Sequence, residues 1–383
     1  MAEKATVSEH LVIQTAFLGD LLLGIPLLKN LRQLEPGDKI TLLCRRGLGG
    51  FMLATRLVDE VIEVDKKDRE DWRSAVAKLK ARKFDWLICP HESPRSTWLA
   101  RALQAERKVG YRHLLSFLAF HHRVRRPLEL PEALRQLALL EPFEPEWRKR
   151  LDQFAGQQEA AGGQGPGGEL LPVPAWASME IPALKRIRNE FERSHRLDLL
   201  STRAAEIASK LLEVGKPLAF LAPGSVWATK MWKSSGFAET GRILSGDGYQ
   251  IVLIGAAAEK ELCERIAADI PGAAVVAGTS LFESAELLSL ATLFIGNDSG
   301  ATHLAAAAGV PTVAVFGPTV LEFGYRPWQS RAKVVQVPRV SLRCRPCGKH
   351  GSRACPVGTH ECMAKIDAIT VVEAARSLVS THR

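Results

Sequence analysis

Short apolar runs rich in β-branched residues alternate along this chain with longer amphipathic runs, and the alternation occurs twice. In the first half the predicted strands are His10–Thr15, Lys39–Cys44, Glu60–Val64 and Phe84–Cys89. In the second half they are Pro217–Ala222, Tyr249–Ile254, Ala273–Val276, Thr292–Ile295 and Thr312–Phe316. Strands separated by helical patterns are typical of βαβ units. The pattern therefore predicts an α/β protein with parallel sheets covered by helices on both faces.

A stretch rich in Gly and Pro separates the two halves. Residues 157–174 read QQEAAGGQGPGGELLPVP and show no apolar period, which is typical of a linker. The chain has 383 residues, a length that suits two domains. We expect an N-terminal domain over residues 1–175 and a C-terminal domain over residues 176–383. The pattern at Ser201–Val214 predicts the helix that opens the second domain, and Ala364–Val379 predicts a helix packed on either domain.

The charge balance is basic, with 51 Lys and Arg against 42 Asp and Glu and a net charge of +9. This balance favours an anionic partner, which is phosphate, nucleic acid or an acidic lipid surface, without choosing among them. The longest nearly uncharged stretch, Leu304–Gly317, is interrupted by Gly309 and Pro311 and is shorter than the ~20 apolar residues of a membrane span. Because no signal-peptide core precedes the first strand, we expect the protein to stay in the cytoplasm.

The most informative stretch is LFIGNDSGATHLAAAAGVPTVAVFGPT, residues 293–319, in which a polar turn joins a strand to an Ala-rich helix. Such a turn presents the first backbone N–H groups of the helix, and Ser299 and Gly300 are small enough to admit a phosphate. His303, one turn into the helix, would add a hydrogen bond or a positive charge. The alternative is that Asp298 or Ser299 only caps the helix.

A second polar loop, PGSVWATKMW, follows the first strand of the second half and contains Ser225, Thr229 and Lys230. The first βα loop of a doubly wound domain commonly binds phosphate, and a lysine there acts as a point charge. The alternative is that Lys230 is a solvated loop residue. The dinucleotide fingerprint G-x-G-x-x-G and the phosphate loop G-x-x-x-x-G-K-[ST] are absent from this region, which argues against a nicotinamide enzyme or a nucleoside triphosphatase.

In the first half, VIQTAFLGDLLLGIPLL joins a strand to a helix through Gly19 and Asp20. Asp20 is the only acid between Glu9 and Glu35, and we identify it as a candidate general base. The alternative is a structural N-cap, a position at which Asp is favoured.

The segment YRHLLSFLAFHHRVRR, residues 111–126, combines apolar and basic side chains. Amphipathic basic segments suit anionic membrane surfaces or acidic lipid head groups. The candidate contacts are His113, Arg123, Arg125 and Arg126. The alternative is an ordinary surface helix with a solvated basic end.

Four of the seven cysteines lie close together in the sequence, at Cys344, Cys347, Cys355 and Cys362. Four thiolates can close a tetrahedral zinc site, and the first pair has the spacing of a zinc knuckle, whereas the second pair does not. A structural zinc site and a reduced loop both stay open, and neither implies a catalytic metal. The other cysteines lie in apolar contexts that suit a reducing compartment.

The stretches GNDSGATHLAAAAGVPTVAVFGPT, FLGDLLLGIPLLKNL and PGSVWATKMW together resemble glycosyltransferase family 9, the ADP-heptose:lipopolysaccharide heptosyltransferases. The likeness runs from Leu11 to about Met363, and the cysteine-rich tail looks like that of heptosyltransferase II-like members. The insert around Gly162 departs from the family. The resemblance implies a GT-B fold, in which two Rossmann-like doubly wound domains face a central cleft. The first domain would bind the acceptor and the second the sugar nucleotide.

The resemblance also implies roles for individual residues. Asp20 matches the carboxylate that deprotonates the acceptor hydroxyl, and Lys230 lies in the loop that holds the donor diphosphate. Glu259 is similar to the acid that binds the ribose, with Glu261 as the neighbouring candidate. The implied donor contacts are Ser225, Thr229, Lys230, Glu259, Asp298, Ser299, Gly300 and His303. The implied acceptor or membrane contacts are Gly19, His113, Arg123, Arg125 and Arg126.

The implied activity is an inverting transfer of heptose from ADP-heptose to a lipopolysaccharide inner-core acceptor. Lys230 and the helix N-terminus near Ser299 would replace a metal ion, so that no cofactor is required. The implied partners are a sugar nucleotide, an anionic glycolipid and the cytoplasmic face of the inner membrane, and not nucleic acid. Two alternatives stay open: a sugar-nucleotide 2-epimerase of the same fold, and a non-catalytic protein that binds lipopolysaccharide precursors.

Overall fold

The computed structural model describes residues 7–160, 172–348 and 350–380. The chain divides into two compact units. The first contains the described residues up to Ala160 together with Ala175–Ala177, and the second contains residues 172–174 and those from Ser178 onward. A helix at Glu146–Ala160 continues into the first residues of the predicted linker, and residues 161–171 of that linker lie outside the described residues.

The first unit is built on a six-stranded parallel sheet. Its strands are β1 (Glu9–Gln14), β2 (Lys39–Arg45), β3 (Glu60–Val64), β4 (Lys83–Cys89), β5 (Gln104–Tyr111) and β6 (His122–Val124). They are arranged in the order β3-β2-β1-β4-β5-β6. The order reverses between β1 and β4, and in doubly wound sheets ligands bind beyond the carboxyl ends of the strands at such a reversal.

Seven α-helices in the described part of the first unit accompany this sheet, and their apolar side chains pack against those of the strands. They are α1 (Leu18–Leu23), α2 (Ile25–Leu34), α3 (Gly49–Ala54), α4 (Arg69–Lys80), α5 (Pro94–Ala102), α6 (Glu132–Leu137) and α7 (Glu146–Ala160). Pro26 lies in the first turn of α2, where its missing N–H would have had no partner within the helix. Leu11, Leu43 and Phe84 belong to the buried core between the sheet and its helices.

The second unit repeats the same strand arrangement. Its strands are β7 (Leu218–Ala222), β8 (Gln250–Gly255), β9 (Ala274–Ala277), β10 (Leu293–Asn297), β11 (Thr312–Phe316) and β12 (Ala332–Gln336). All pairings are parallel and the order is β12-β11-β10-β7-β8-β9, with the reversal between β7 and β10. β7 and β11 are buried along their whole length, as expected for inner strands of a sheet covered on both faces.

The helices of the second unit correct one expectation about its start. They are α8 (Pro182–Ser194), α9 (Thr202–Leu212), α10 (Ser234–Gly246), α11 (Lys260–Ala268), α12 (Leu281–Leu288), α13 (Gly300–Ala307), α14 (Glu361–Ala364) and α15 (Ala368–Ser380). Ser201 is the N-cap of α9 as predicted, but α8 precedes it, so the prediction that α9 opens the domain is wrong. The C-terminal helix α15 packs on α10, β11 and β12 of its own unit.

All nine predicted strands are present, and β5, β6 and β12 are additional. The basic segment at residues 111–126 is not a helix: it consists of the end of β5, a short 3₁₀ turn at Ser116–Leu118, and β6. Its apolar residues share no single face, because Phe120 is buried in the core whereas Leu114 and Phe117 are exposed. No helix in the described parts of the chain is long and apolar enough to cross a membrane.

Candidate functional site

In the second unit, Asn297 joins the loop after β7 to the end of β10, where the strand order reverses. Its buried side-chain oxygen accepts a hydrogen bond from the Trp232 N–H at 2.9 Å, and its amide nitrogen donates to the Pro223 carbonyl at 2.8 Å. A buried amide that is satisfied on both sides fixes the two segments that it joins. The loop that carries Lys230 therefore has a defined position beside the end of β10.

Lys230 forms an ion pair with Asp298 between these two segments. The Lys230 Nζ lies 2.6 Å from Asp298 Oδ2, and the same oxygen accepts a hydrogen bond from the Thr319 hydroxyl at 2.6 Å. Only 12% of the Lys230 side chain and 5% of the Asp298 side chain are exposed. The pair therefore holds an ammonium group at the carboxyl edge of the sheet, where βα loops bind phosphate.

Two buried polar atoms lie at the start of α13 without a hydrogen-bond partner in the described part of the chain. They are the Ser299 hydroxyl oxygen at the N-cap and His303 Nδ1 one turn later. Buried polar atoms are nearly always paired, so these two atoms and the free N–H groups of the helix N-terminus are suited to contact a ligand. The Ser299 side chain makes no capping bond and Asp298 pairs with Lys230, so the alternative that either only caps the helix is wrong. Gly300 is the first residue of the helix.

The imidazole of His303 is neutral near pH 7. Burial lowers the pKa of His303 to about 4, although the Asp298 carboxylate acts in the opposite direction. Of the two contributions expected from His303, a hydrogen bond or a positive charge, the lowered pKa favours the hydrogen bond, because removal from water disfavours the protonated ring. The neutral ring keeps its capacity for a hydrogen bond at Nδ1.

The structure distinguishes Glu259 from Glu261. A Cβ added to Gly224 in the loop after β7 would lie 1.9 Å from Glu259 Oε1, so the Glu259 carboxylate rests directly on the Gly224 backbone. The other oxygen, Oε2, accepts the Ala256 N–H at 2.8 Å. Glu261 is exposed on α11. Glu259 is thus the acid that adjoins the Lys230 loop, and the absence of a side chain at Gly224 makes that approach sterically feasible.

The hydroxyl groups of Ser225 and Thr229 have different surroundings. The half-buried Ser225 accepts a long hydrogen bond of 3.4 Å from the Trp227 N–H. Thr229 is buried, and its hydroxyl donates to the Ser352 carbonyl and accepts from the Ser352 N–H, both at 2.8 Å. The Thr229 hydroxyl is therefore satisfied within the chain, whereas Ser225 can still donate its hydroxyl hydrogen to a ligand.

In the first unit, Gly19 and Asp20 lie in α1, just beyond β1. Phe17 is the N-cap of this helix, so the alternative that Asp20 is the N-cap is wrong. Burial and, second, the Glu132 carboxylate raise the pKa of Asp20 to about 6, against the hydrogen bond from the Phe17 N–H and the charge of Arg126. A carboxyl group with a pKa near 6 is suited to general base catalysis near neutral pH.

Glu132 belongs to a buried ion network next to Asp20. Its Oε2 lies 2.6 Å from Arg126 Nη2 and 3.3 Å from Arg135 Nη1. Arg126 also pairs with Glu92 at 2.5 Å. The two arginines hold the Glu132 carboxylate in place beside Asp20. The Arg126 guanidinium is itself paired with Glu132 and Glu92, so its charge is already compensated within the protein.

Sequence reasoning did not identify Lys66 and His91, which lie at the same edge of the first sheet. Burial lowers the pKa of Lys66, the charges of Arg95 and Arg45 lower it further, and Asp20 acts to raise it. Burial and the Lys66 charge lower the pKa of His91 to about 4, and its Nε2 is buried with no hydrogen-bond partner among the residues described. Both residues come two positions after a strand, β3 and β4, which is the signal that would have pointed to them.

The other basic candidates of the first unit fall into two groups. The ring of His113 is used within the chain, since Nε2 contacts the Thr97 hydroxyl at 3.2 Å and Nδ1 accepts the Leu115 N–H at 3.3 Å. Arg123 and Arg125 are exposed, and Arg125 pairs with Glu129 at 3.2 Å. Among the basic candidates, Arg123 and Arg125 therefore present their charges on the surface.

The four clustered cysteines are free thiols that interact electrostatically with one another. The Cys347 thiol donates to the Cys344 carbonyl at 3.2 Å, and Cys355 Sγ accepts the His360 N–H at 3.3 Å. Cys362 is buried in the apolar core of the second unit. Within the described residues no three Cys, His, Asp or Glu side chains are grouped closely enough to hold a metal ion. The structural zinc site and the reduced loop both stay open as predictions.

The sequence profile of glycosyltransferase family 9 (heptosyltransferase) matches residues 188–356. The chain is similar to lipooligosaccharide heptosyltransferase 2 of Campylobacter jejuni subsp. jejuni serotype O:2, with 34% identity over 177 residues. That alignment covers 44% of this chain and 53% of the relative, so the chain spans about half the length of this curated relative.

Two solved structures share the fold over most of the chain. A family 9 glycosyl transferase from Veillonella parvula DSM 2008 superimposes with a TM-score of 0.70 at 23% identity and covers 100% of both chains. The E. coli heptosyltransferase WaaC with ADP-2-deoxy-2-fluoro heptose gives a TM-score of 0.63 at 21% identity, covering 86% of this chain and 93% of that chain. Two doubly wound parallel sheets of this kind define a GT-B protein. Over residues 188–356 the chain is similar to glycosyltransferase family 9, the family that its motifs predicted.

Proposed function

We propose that this protein transfers heptose from ADP-heptose to an inner-core acceptor of lipopolysaccharide, with inversion at the anomeric carbon and without a metal cofactor. Similarity to glycosyltransferase family 9 over residues 188–356 supports the reaction class. A structural neighbour, WaaC, was solved with an ADP-heptose analogue, which supports the choice of donor. Transfer to an anionic glycolipid also agrees with the net charge of +9.

The observation that carries this proposal is the anion site of the second unit. It combines the Lys230 ammonium group, the N-terminus of α13 and the unpartnered hydroxyl of Ser299. Positive groups fixed where negative charge develops stabilise a leaving diphosphate without reorganisation. Lys230 and the helix N-terminus would thus perform the neutralisation that a divalent ion performs in other transferases.

Asp20 would act on the acceptor. Its carboxylate takes the proton of an acceptor hydroxyl while that oxygen attacks the anomeric carbon of the donor. The bond from this carbon to the diphosphate oxygen breaks, and ADP leaves with the electron pair. Attack on the face opposite the leaving group inverts the configuration. The pKa of about 6 lets Asp20 be deprotonated at neutral pH and still accept a proton.

Cations near Asp20 suit an acidic acceptor. The charges of Arg45 and Arg95 act on Lys66, and the Asp20 carboxylate acts on it with the opposite sign. We infer that these three cations attract anionic groups of the acceptor. The exposed Arg123 and Arg125 would face anionic lipid at the cytoplasmic side of the inner membrane, and sedimentation with anionic vesicles should fall when both are replaced by Glu.

Two measurements test the proposed function. In a thermal-shift screen, ADP-heptose should raise the unfolding midpoint more than UDP- or GDP-sugars at equal concentration, because selective binding stabilises the native state. In a product assay, ADP should appear only when acceptor is present. Isomerisation of the donor without acceptor would indicate the epimerase instead, and donor binding without turnover would indicate a binding protein.

A further inference from the structure

Residues 351–360, here called the clamp segment, bind the turn that carries Lys230. This turn is the 3₁₀ helix Ala228–Lys230. The Ser352 carbonyl accepts hydrogen bonds from the Thr229 N–H at 3.2 Å and from the Thr229 hydroxyl at 2.8 Å, and the Ser352 N–H donates to the same hydroxyl. His360 Nε2 donates to the Thr229 carbonyl at 2.7 Å. Every polar group of Thr229 is therefore engaged by the clamp segment.

The clamp segment also contacts the Lys230 side chain itself. A Cβ added to Gly351 would lie 3.2 Å from Lys230 Cγ and 3.2 Å from Thr229 Oγ1. Gly351 has a φ of +82°, in the region that favours glycine. The Gly351 backbone thus packs on the aliphatic stem of Lys230, and a side chain there would displace Lys230 or Thr229 by a few tenths of an ångström.

His360 is held in an unusual backbone conformation that directs its ring to Thr229. It has a φ of 50° at the N-cap of α14, a left-handed conformation that is uncommon for residues other than glycine. Its N–H is bonded to Cys355 Sγ at 3.3 Å. Strained residues of this kind persist only where the surrounding contacts determine them, and here those contacts lead to the Lys230 turn.

We propose that Gly351, Ser352 and His360 are positioning residues that fix Lys230 for the diphosphate of the donor. The clamp segment holds the backbone and stem of the turn, while Asp298 holds its ammonium end at 2.6 Å. Without the clamp, the ammonium group can move away from the α13 N-terminus, and misplacement by about 1 Å can cost ~10² in rate. The inference rests on the proposed role of Lys230 in donor binding.

The first test compares two glycine substitutions by calorimetry with ADP on the full chain. Gly351→Ala introduces a side chain against Lys230 at a positive φ. Gly358→Ala is the matched control, because Gly358 also has a positive φ (76°) and a Cβ there would meet nothing within 4 Å. Both variants carry similar backbone strain. We expect Gly351→Ala to weaken ADP binding about tenfold, the effect of losing ~1.4 kcal/mol, and Gly358→Ala less than about twofold.

The second test replaces His360. His360→Ala should lower kcat/KM for the donor about tenfold, the loss expected from one hydrogen bond. His360→Gln should recover most of it, because its amide N–H can still donate to the Thr229 carbonyl. The acceptor KM and the pH dependence assigned to Asp20 should not change in either variant. A merely structural role for His360 would disturb these two quantities as well.

The outcomes separate the two proposals. If the wild type does not bind ADP, or if Lys230→Ala binds ADP as tightly as the wild type, the proposed role of Lys230 fails, and this inference fails with it. If Lys230→Ala binds weakly but Gly351→Ala and His360→Ala bind like the wild type, only the clamp is refuted. Should Gly351→Ala not fold, the comparison of His360→Ala with His360→Gln decides.

Discussion

Replacing Asp20 by Asn removes the proposed base and keeps an oxygen that can accept the Phe17 N–H. General base catalysis commonly contributes ~10²–10⁴ in rate. We therefore expect kcat to fall by about that factor, which corresponds to about 3–5 kcal/mol of activation free energy. The KM for the donor should stay within about twofold, because the donor contacts lie in the second unit. Steady-state kinetics with each substrate in turn at saturation measures both quantities.

The pH dependence follows from the pKa of about 6. The base must be deprotonated, so about 90% of the wild type is active at pH 7 and about 10% at pH 5. The kcat/KM should fall about tenfold between these values in the wild type and stay flat in Asp20→Asn. Glu132→Gln removes a charge that raises this pKa, and its acidic limb should move to lower pH.

The free energy of unfolding should respond to Asp20→Asn in the opposite direction from activity. In the folded protein the pKa of Asp20 lies above its ordinary value of 3.8. The Asp20 side chain therefore makes its whole contribution to the stability of the fold below pH 3.8, and this contribution is lost as the pH rises through 6. Two pKa units correspond to about 3 kcal/mol at pH 7. Asp20→Asn should therefore be less active and more stable at pH 7, by at most about 3 kcal/mol. Normal turnover of this variant at saturating acceptor would refute the assignment of Asp20 as the base.

Three further substitutions test the donor site. Lys230→Ala should lower turnover ~10²–10³-fold and weaken ADP binding, whereas Lys233→Ala, an exposed lysine nearby, should not; equal effects would contradict the role of Lys230. Gly224→Ala should abolish ADP binding in calorimetry, because its Cβ would overlap Glu259 Oε1 at 1.9 Å, while Gly246→Ala meets nothing within 4 Å and should bind normally. The ratio of wild-type to His303→Gln activity should stay constant from about pH 5.5 to 8, because a pKa of about 4 leaves the ring neutral throughout; a step near pH 6.5 would show that it titrates there.

The sequence predicted most of the fold because the central strands are continuously apolar. β1, β2, β7 and β11 are buried on both faces and lie between Gly, Pro or polar turns, so both their type and their position follow from pattern. β5 was missed because its first half, at the exposed end of the strand, reads QAER. The segment at 111–126 was misread because a mixture of apolar and basic residues does not distinguish a helix from a turn that joins β5 to the edge strand β6.

The ion pair of Lys230 with Asp298 joins two contiguous motifs that the sequence analysis had singled out, so the candidate site of the second unit was accessible from pattern. Lys66 and His91 were not, since they are isolated in sequence and come together only through the order of β1, β3 and β4. The charge states of His303 and Asp20 depend on how deeply each side chain is buried, and a sequence motif contains no information about burial. The sequence therefore left open whether His303 contributes a charge or a hydrogen bond, and it did not show that burial, and second the Glu132 carboxylate, raise the pKa of Asp20.

The central claim is that protein groups alone neutralise the departing diphosphate while an aspartate activates the acceptor. The most direct measurement is acceptor-dependent release of ADP from ADP-heptose in excess EDTA, compared among the wild type, Asp20→Asn and Lys230→Ala. We predict rapid release by the wild type with acceptor, none without it, and release slower by at least about 10² in each variant. Loss of wild-type activity in EDTA, or wild-type rates in both variants, would contradict the claim.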